Sequence, residues 1–235
     1  MRWHLAYEDP TSGLSLRLVT VQDRLRAALD AASGRNPILL ISVCAGQGHD
    51  VAGVLHGHPR ADAVEALLVE ADPDNVRAAR RRMAEAGLDG VRVAQDDASQ
   101  MNVYRDAAPA DVVLLCGVFG NITEGDVQRT VSNASRLCAP AATVIWTRHR
   151  EAPDLTPAIR RWFEEAGFEE LAFDSPGQDR WAVGTHRLAA PPLPFDPDLS
   201  LFTFLERPSL PVREVRAIDH GDPCTHPEGG GPPVG

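Results

Sequence analysis

The sequence predicts a doubly wound α/β domain whose sheet is mostly parallel. Three observations carry that expectation. Short apolar runs of strand length alternate with amphipathic helical stretches along the chain. The first run, Ile38-Leu39-Leu40-Ile41-Ser42-Val43, is apolar almost throughout, as a strand buried on both faces should be. A glycine-bearing turn, Cys44-Ala45-Gly46-Gln47-Gly48-His49-Asp50, follows it directly, and open parallel sheets bind their ligands beyond such strand ends.

The elements follow in order. Leu14, Leu18, Val21, Leu25 and Leu29 recur every three or four residues, with arginines between them, which predicts a helix ending near Ser33-Gly34. After the first strand and its turn, Leu67-Leu68-Val69 reads as a second strand. Asp72-Pro73 then offers an N-cap and a first-turn proline to a helix carrying Val76, Ala79 and Met83 inward and stopping at Gly87. Val91 and Val93 mark a third strand and Val112–Leu115 a fourth. Thr123 can cap a helix with Val127, Val131, Ala134 and Leu137 inward, and Ala142–Trp146 is a fifth strand. Thr156-Pro157 opens a helix with Ile159, Trp162 and Phe163 inside, stopping at Gly167. Strand-like pieces near Glu170–Phe173 and Trp181–Leu188 are joined too closely for a helical crossover, so they should pair antiparallel.

By composition the chain divides into an N-terminal helical lid segment (residues 1–34), the sheet domain (35–206) and a proline- and glycine-rich tail (207–235) expected to be poorly ordered. The net charge of −10 argues against nucleic acid or an anionic membrane as partner. No lysine occurs among the 235 residues, which excludes a pyridoxal Schiff base and a Gly-Lys-Ser/Thr phosphate loop. Cys44, Cys116, Cys138 and Cys224 show neither zinc-knuckle nor redox spacing, so no metal is expected. With no apolar leader, these cysteines suggest a reducing, cytoplasmic setting. His56 and His58 read as surface residues, and Arg77, Arg80, Arg81 and Arg82 as a solvated helix face. A homodimer is compatible with the sequence.

Three positions give the glycine turn chemical meaning. Glu70 ends the second strand, 22 residues after Gly48, where an acid can accept hydrogen bonds from both hydroxyls of a ribose. Asp97, in Gln95-Asp96-Asp97-Ala98, follows the third strand, where a carboxylate can accept an adenine amino proton. The fourth strand runs into Cys116-Gly117-Val118 beside the same crevice.

On these residues the chain resembles the class I S-adenosylmethionine-dependent methyltransferases, over residues 36 to 188. Val43–Gly48 stands where that family has its glycine-rich first motif. Leu68-Val69-Glu70-Ala71-Asp72-Pro73 is similar to its acidic second motif, and Asp97-Ala98 to its adenine-contacting pair. The resemblance implies a Rossmann-like sheet of seven strands, order 3-2-1-4-5-7-6 with strand 7 antiparallel. It also implies S-adenosylmethionine as cofactor, held by Cys44, Ala45, Gly46, Gln47, Gly48, Glu70, Ala71, Asp97, Ala98, Cys116, Gly117 and Val118. Two positions depart from the family. Ser42 stands where an acid is usual, and Cys44 replaces the first glycine. Asp50 or an N-terminal residue is left to meet the cofactor's amino group.

The expected activity is methyl transfer to an O, N or C atom of a small-molecule acceptor. An oxygen acceptor needs a base. His149, in Thr147-Arg148-His149-Arg150, is the best placed, with His4 and Tyr7 as residues that could close over the site. Arg148 or Arg150 could hold an acidic substrate. Gly117-Val118-Phe119-Gly120-Asn121 stands where amino-group methylases of DNA or protein carry Asn-Pro-Pro-aromatic. Two other readings remain. A nicotinamide oxidoreductase would need a glycine or alanine at Val51, and a non-catalytic partner-binding fold is suggested only by Ser42 and Cys44.

Overall fold

The strands form one sheet of seven in the order 3-2-1-4-5-7-6. They are β1 (Ile38–Val43), β2 (Val64–Glu70), β3 (Val91–Gln95), β4 (Ala110–Leu115), β5 (Cys138–His149), β6 (Phe168–Asp174) and β7 (Trp181–Leu188). A computed structural model describes residues 9, 12–32, 34–176 and 180–205 of the chain. Pairing is parallel from β3 through β5, while β7 runs antiparallel to both β5 and β6. The segment between β6 and β7 has no room for a crossover helix, so reversal follows from connection length alone.

Among the described residues five α-helices cover the sheet: α1 (Gly13–Ala31), α2 (His49–Leu55), α3 (Pro73–Glu85), α4 (Glu124–Asn133) and α5 (Thr156–Glu165). Leu25 and Leu29 of α1, Val51 and Leu55 of α2, and Val76 and Met83 of α3 pack on one face with Leu40, Leu68 and Leu114. Val127 and Val131 of α4 and Ile159 and Phe163 of α5 pack on the other with Ile41, Val113 and Trp146. The alternation along β1 and β4 explains why those strands read as continuous apolar runs: each residue meets a helix on one side or the other. Local chemistry sets the ends. Ser12 caps α1 by accepting from the Ser15 amide at 3.1 Å. Asp72 caps α3 from the Asp74 and Asn75 amides at 2.8 and 3.0 Å, and Thr123 caps α4 from Asp126.

The structure departs from the sequence reading in four places. β5 is twelve residues long, so it extends both ways from Ala142–Trp146; β4 and β7 flank it and supply ladder partners along most of its length. α4 ends at Asn133, and Ala134–Leu137 continue as a 3₁₀ turn that still buries Ala134 and Leu137. His58 is not a surface residue. It is buried, its Nδ1 accepts from the Arg60 amide at 3.2 Å, and its Nε2 stands 3.4 Å from Asp30. Of the α3 arginines, Arg77, Arg80 and Arg81 are exposed as read, whereas Arg82 is half-buried and donates to the Gln47 carbonyl, because its long stem reaches past the helix edge.

Beyond β7 the chain crosses back over the sheet. Leu201 N donates to Ser99 O, Met101 N to Leu199 O, and Leu205 N to Asn121 O, with Leu201 and Phe202 buried. This segment therefore ties the loop after β3 to the loop after β4. Among the described residues no helix is long and apolar enough to cross a membrane. His4, Tyr7, Cys224 and the 207–235 tail lie outside the described residues.

Candidate active site

The site is built where the carboxyl ends of β1, β2, β3 and β4 meet. The turn after β1 is held by two backbone links, Ala45 N donating to Val69 O and Gly48 N to Ala45 O, and by one to a side chain, Gly46 N donating to Glu70 Oε2 at 2.8 Å. Gly46 has φ +57°, and a Cβ there would meet nothing within 4 Å, so the turn presents bare backbone to open space. Gly48, at φ +67°, faces the opposite way. A Cβ would stand 2.5 Å from Met83 Cε, the movable end of a side chain, so it is the left-handed backbone that favours glycine there. Cys44 shares the left-handed backbone, φ +56°, although it has a side chain. The turn that a glycine would make without strain is thus kept, at a conformational cost of about 1 kcal/mol or more. No sequence signal announces that.

Glu70 faces this turn. Its other oxygen, Oε1, accepts from Asp72 N at 2.9 Å. Each carboxylate oxygen has spent one lone pair on backbone and keeps another for a ligand. The Glu70 carbonyl accepts from Asp96 N at 3.2 Å, which sets the β3 loop beside β2. Asp97 is exposed there. One of its oxygens accepts from Ser99 N at 2.9 Å, so the Asp97 turn and a ligand contact are compatible uses of one carboxylate. Tyr104 fixes that turn from beneath by donating to Ala98 O at 2.7 Å. Tyr104 is a positioning residue that the sequence reading missed; nothing in the sequence ties it to Ala98. Burial, and after it the charges of Glu70 and Asp97, push the Cys44 thiol pKa up.

On the other side of the crevice, Gly117 N donates to Thr147 Oγ1 at 2.9 Å, and Asn121 closes the loop by donating to Gly117 O. Gly117 has φ +80° with open space where a Cβ would stand. Cys116 is pushed to a higher pKa by burial, so it is an inert thiol at neutral pH. His149 lies against Gly120, where a Cβ would come within 3.2 Å of His149 Cδ2 and 3.9 Å of Arg148 Nη1. The loop after β4 and the end of β5 are therefore in direct contact.

The electrostatics at the end of β5 are unusual. Arg148 is 8% exposed, donates from Nη1 to the Phe119 carbonyl, and leaves Nε buried without a partner. Among the described residues no carboxylate pairs with it. Burial lowers its pKa. His149 is pushed below its ordinary value by burial and then by Arg148, which outweigh Glu151 and Asp154, and its Nδ1 is buried without a partner. Arg150, the other candidate for an acidic substrate, is already bound to Asp154 and Ser175. Among the described residues no group of three His, Cys, Asp or Glu is placed to hold a metal ion.

Val51 is fully buried in α2 among the core residues, so the position where a dinucleotide fingerprint needs a small residue is filled by packing. Of the remaining predicted residues, Ala45 and Gln47 lie in the turn after β1 and Ala71 at the end of β2, whereas Val118, after β4, is fully buried in the core rather than open to the crevice.

Comparison with known proteins agrees with this fold. A family model described as a methyltransferase domain matches residues 41–141. Among solved structures, the chain is similar to an O-methyltransferase family protein from Burkholderia thailandensis at 18% identity and TM-score 0.54, covering 81% of this chain and 63% of that one. It is similar to the S-adenosylmethionine-dependent methyltransferase SibL at 19% identity and TM-score 0.50, covering 72% and 55%. It is also similar to an rRNA methylase from Streptococcus thermophilus at 9% identity and TM-score 0.54, covering 72% and 94%. The chain thus spans less than two thirds of the length of the first two. A search by sequence finds no match among curated proteins.

Proposed function

We propose that the chain is a class I S-adenosylmethionine-dependent methyltransferase whose acceptor is a small molecule carrying an acidic group. The single observation behind this reading is Arg148. A guanidinium buried without a carboxylate is costly to keep, and an anionic acceptor would supply the missing partner. The net charge of −10 supports a small molecule over nucleic acid, since an acidic protein repels a polyanion.

The residues of the crevice suit the cofactor. Glu70 retains acceptor capacity for two ribose hydroxyls, Asp97 for an adenine amino group, and Gly46 opens the backbone for close approach. Cys116 and Gly117 would border the reacting end. When bound, S-adenosylmethionine supplies a carbon activated by its sulfonium for in-line displacement. The chain's own part is to align the acceptor, exclude water and handle a proton. Arg148 would orient the acceptor's anionic group. His149, neutral at pH 7, would take a proton from an acceptor hydroxyl through an imidazole nitrogen.

The test is a transfer assay with methyl-labelled S-adenosylmethionine against three separate fractions: small metabolites, RNA and protein. Label is expected in the small-metabolite fraction, retained on an anion exchanger. Label appearing in RNA or protein instead would overturn the acceptor assignment and leave the cofactor standing.

A further inference from the structure

Buried polar atoms without partners gather at one corner of the sheet. Among the described residues six buried side-chain nitrogens or oxygens make no hydrogen bond, and three of them, Arg148 Nε, His149 Nδ1 and Trp181 Nε1, stand where β5 ends and β7 begins. Trp181 is the register partner of His149 across the antiparallel β5–β7 pair, so the two side chains share a face of the sheet, with Cβ atoms about 5 Å apart. His149 thus has Gly120 of the loop after β4 against its ring and Trp181 beside it on the next strand.

Trp181 is 6% exposed. A buried indole N–H usually has an acceptor, because an orphaned donor loses its water and gains nothing in return. What stands over it here is Gly13, the first residue of α1, which is itself exposed. A Cβ on Gly13 would lie 3.5 Å from Trp181 Cδ1 and 3.6 Å from Nε1, ordinary contact distances. Gly13 is not among the glycines with positive φ, and within a helix alanine is favoured over glycine. Neither packing nor backbone therefore calls for glycine at this position. What its missing methyl group does is leave the N–H edge of the indole uncovered, just beneath the surface.

We propose that Trp181 is a specificity-determining residue: its indole N–H, reached past Gly13, donates to a neutral oxygen of the acceptor beside the hydroxyl that faces His149. The proposal rests on the acceptor reading above and narrows it. An indole N–H is a donor only and carries no charge, so it suits a carbonyl or ether oxygen, while the acidic group is left to Arg148. Opposed side chains on one face reach oxygens on neighbouring carbons. The acceptor class is therefore a hydroxy acid with a carbonyl or second oxygen function next to the reacting hydroxyl. A competitor without that oxygen forms one hydrogen bond fewer and binds more weakly.

The test uses the full chain, with the small-metabolite anion-exchange fraction that takes label from S-adenosylmethionine as acceptor. Trp181→Phe keeps an aromatic ring and removes the donor; Gly13→Ala keeps the donor and covers it. Each is expected to lower kcat/KM for that fraction about 3- to 10-fold, the range for a neutral hydrogen bond, while affinity for S-adenosylhomocysteine by isothermal titration changes by less than about twofold. Gly13→Ala should melt no lower than wild type, since it adds a helix-favouring methyl group where nothing crowds it. In protein labelled with ¹⁵N-tryptophan and saturated with S-adenosylhomocysteine, the indole resonance that Trp181→Phe removes is expected to move downfield when the fraction is added. A resonance that stays in place, or wild-type kcat/KM in Gly13→Ala, would mean that the indole only packs α1 on the sheet, and overturns the proposal. Equal losses for the acceptor fraction and S-adenosylhomocysteine overturn it too. Label entering only RNA or protein, or no fraction at all, overturns the acceptor reading and this proposal together. Label entering small metabolites while Trp181 stays unresponsive overturns this proposal alone.

Discussion

His149 shows how one residue's chemistry is set by its neighbours. An imidazole in water is half protonated near pH 6.5; here burial and the adjacent Arg148 hold it neutral to lower pH. A depressed pKa is what a base working at neutral pH requires. If the acceptor is a hydroxyl, His149→Gln is expected to lower kcat by about 10²- to 10⁴-fold with KM for S-adenosylmethionine nearly unchanged. The wild-type rate should fall on acidification only below pH 6.5, as the ring protonates. Steady-state kinetics across pH check both; a variant with wild-type kcat rejects His149 as the base. At this scale the sequence was partly legible. Glu70 could be found because the distance from a glycine turn to the next strand end is fixed by βαβ geometry. Tyr104, Thr147 and Arg82 could not, because each acts on a backbone atom that is remote in sequence.

At the scale of elements, the junction of β5 and β7 is the most tightly specified. Trp146 and Gly184 are register partners, and a Cβ on Gly184 would lie 2.2 to 2.4 Å from the Trp146 ring. The ring in turn contacts Phe119, Phe163, Phe173 and His186. It has nowhere to retreat, so overpacking is unrelieved. Gly184→Ala is expected to destabilise the fold by about 1–3 kcal/mol or more, measured by urea unfolding. A loss under about 0.5 kcal/mol would show that the ring cluster can shift. This junction also positions the site, because β5 ends in Arg148 and His149. The strand was legible as an apolar run, but its length was not. The Thr147-Arg148-His149 end is polar by pattern and is strand only because β7 pairs with it.

At the scale of the whole molecule, His186 couples stability to pH. Its Nδ1 accepts from Trp146 Nε1 at 3.2 Å, and the ring is stacked against Phe163. Glu170 Oε2 stands 3.7 Å from its Nε2, yet burial outweighs that attraction and Arg160 opposes it, so the pKa is depressed to about 4. The unfolded chain then binds a proton that the folded chain refuses between pH 6.5 and 4, and stability falls with pH across that window. Between pH 7.5 and 5 the expected loss from this group is about 2 kcal/mol. Urea unfolding at those two values checks it, with His186→Phe as control: the variant should lose this pH dependence. An equal slope in both proteins would assign it to other groups. Glu170 and Asp154, whose pKa values are depressed by arginine partners and by hydrogen bonds, add to the loss at lower pH with the same sign.

By itself the sequence determined the alternation of strands and helices, the antiparallel end of the sheet and the carboxylate spacing of the nucleoside side. All three follow from local periodicity and connection length, which neighbours in the chain dictate. Tertiary structure alone decided which polar groups are left without partners. Arg148 and His149 were candidates by their place after the fifth strand, but nothing in the sequence says that each keeps a buried nitrogen without a partner. Their chemistry comes from burial, and burial is a property of elements brought together from distant parts of the chain.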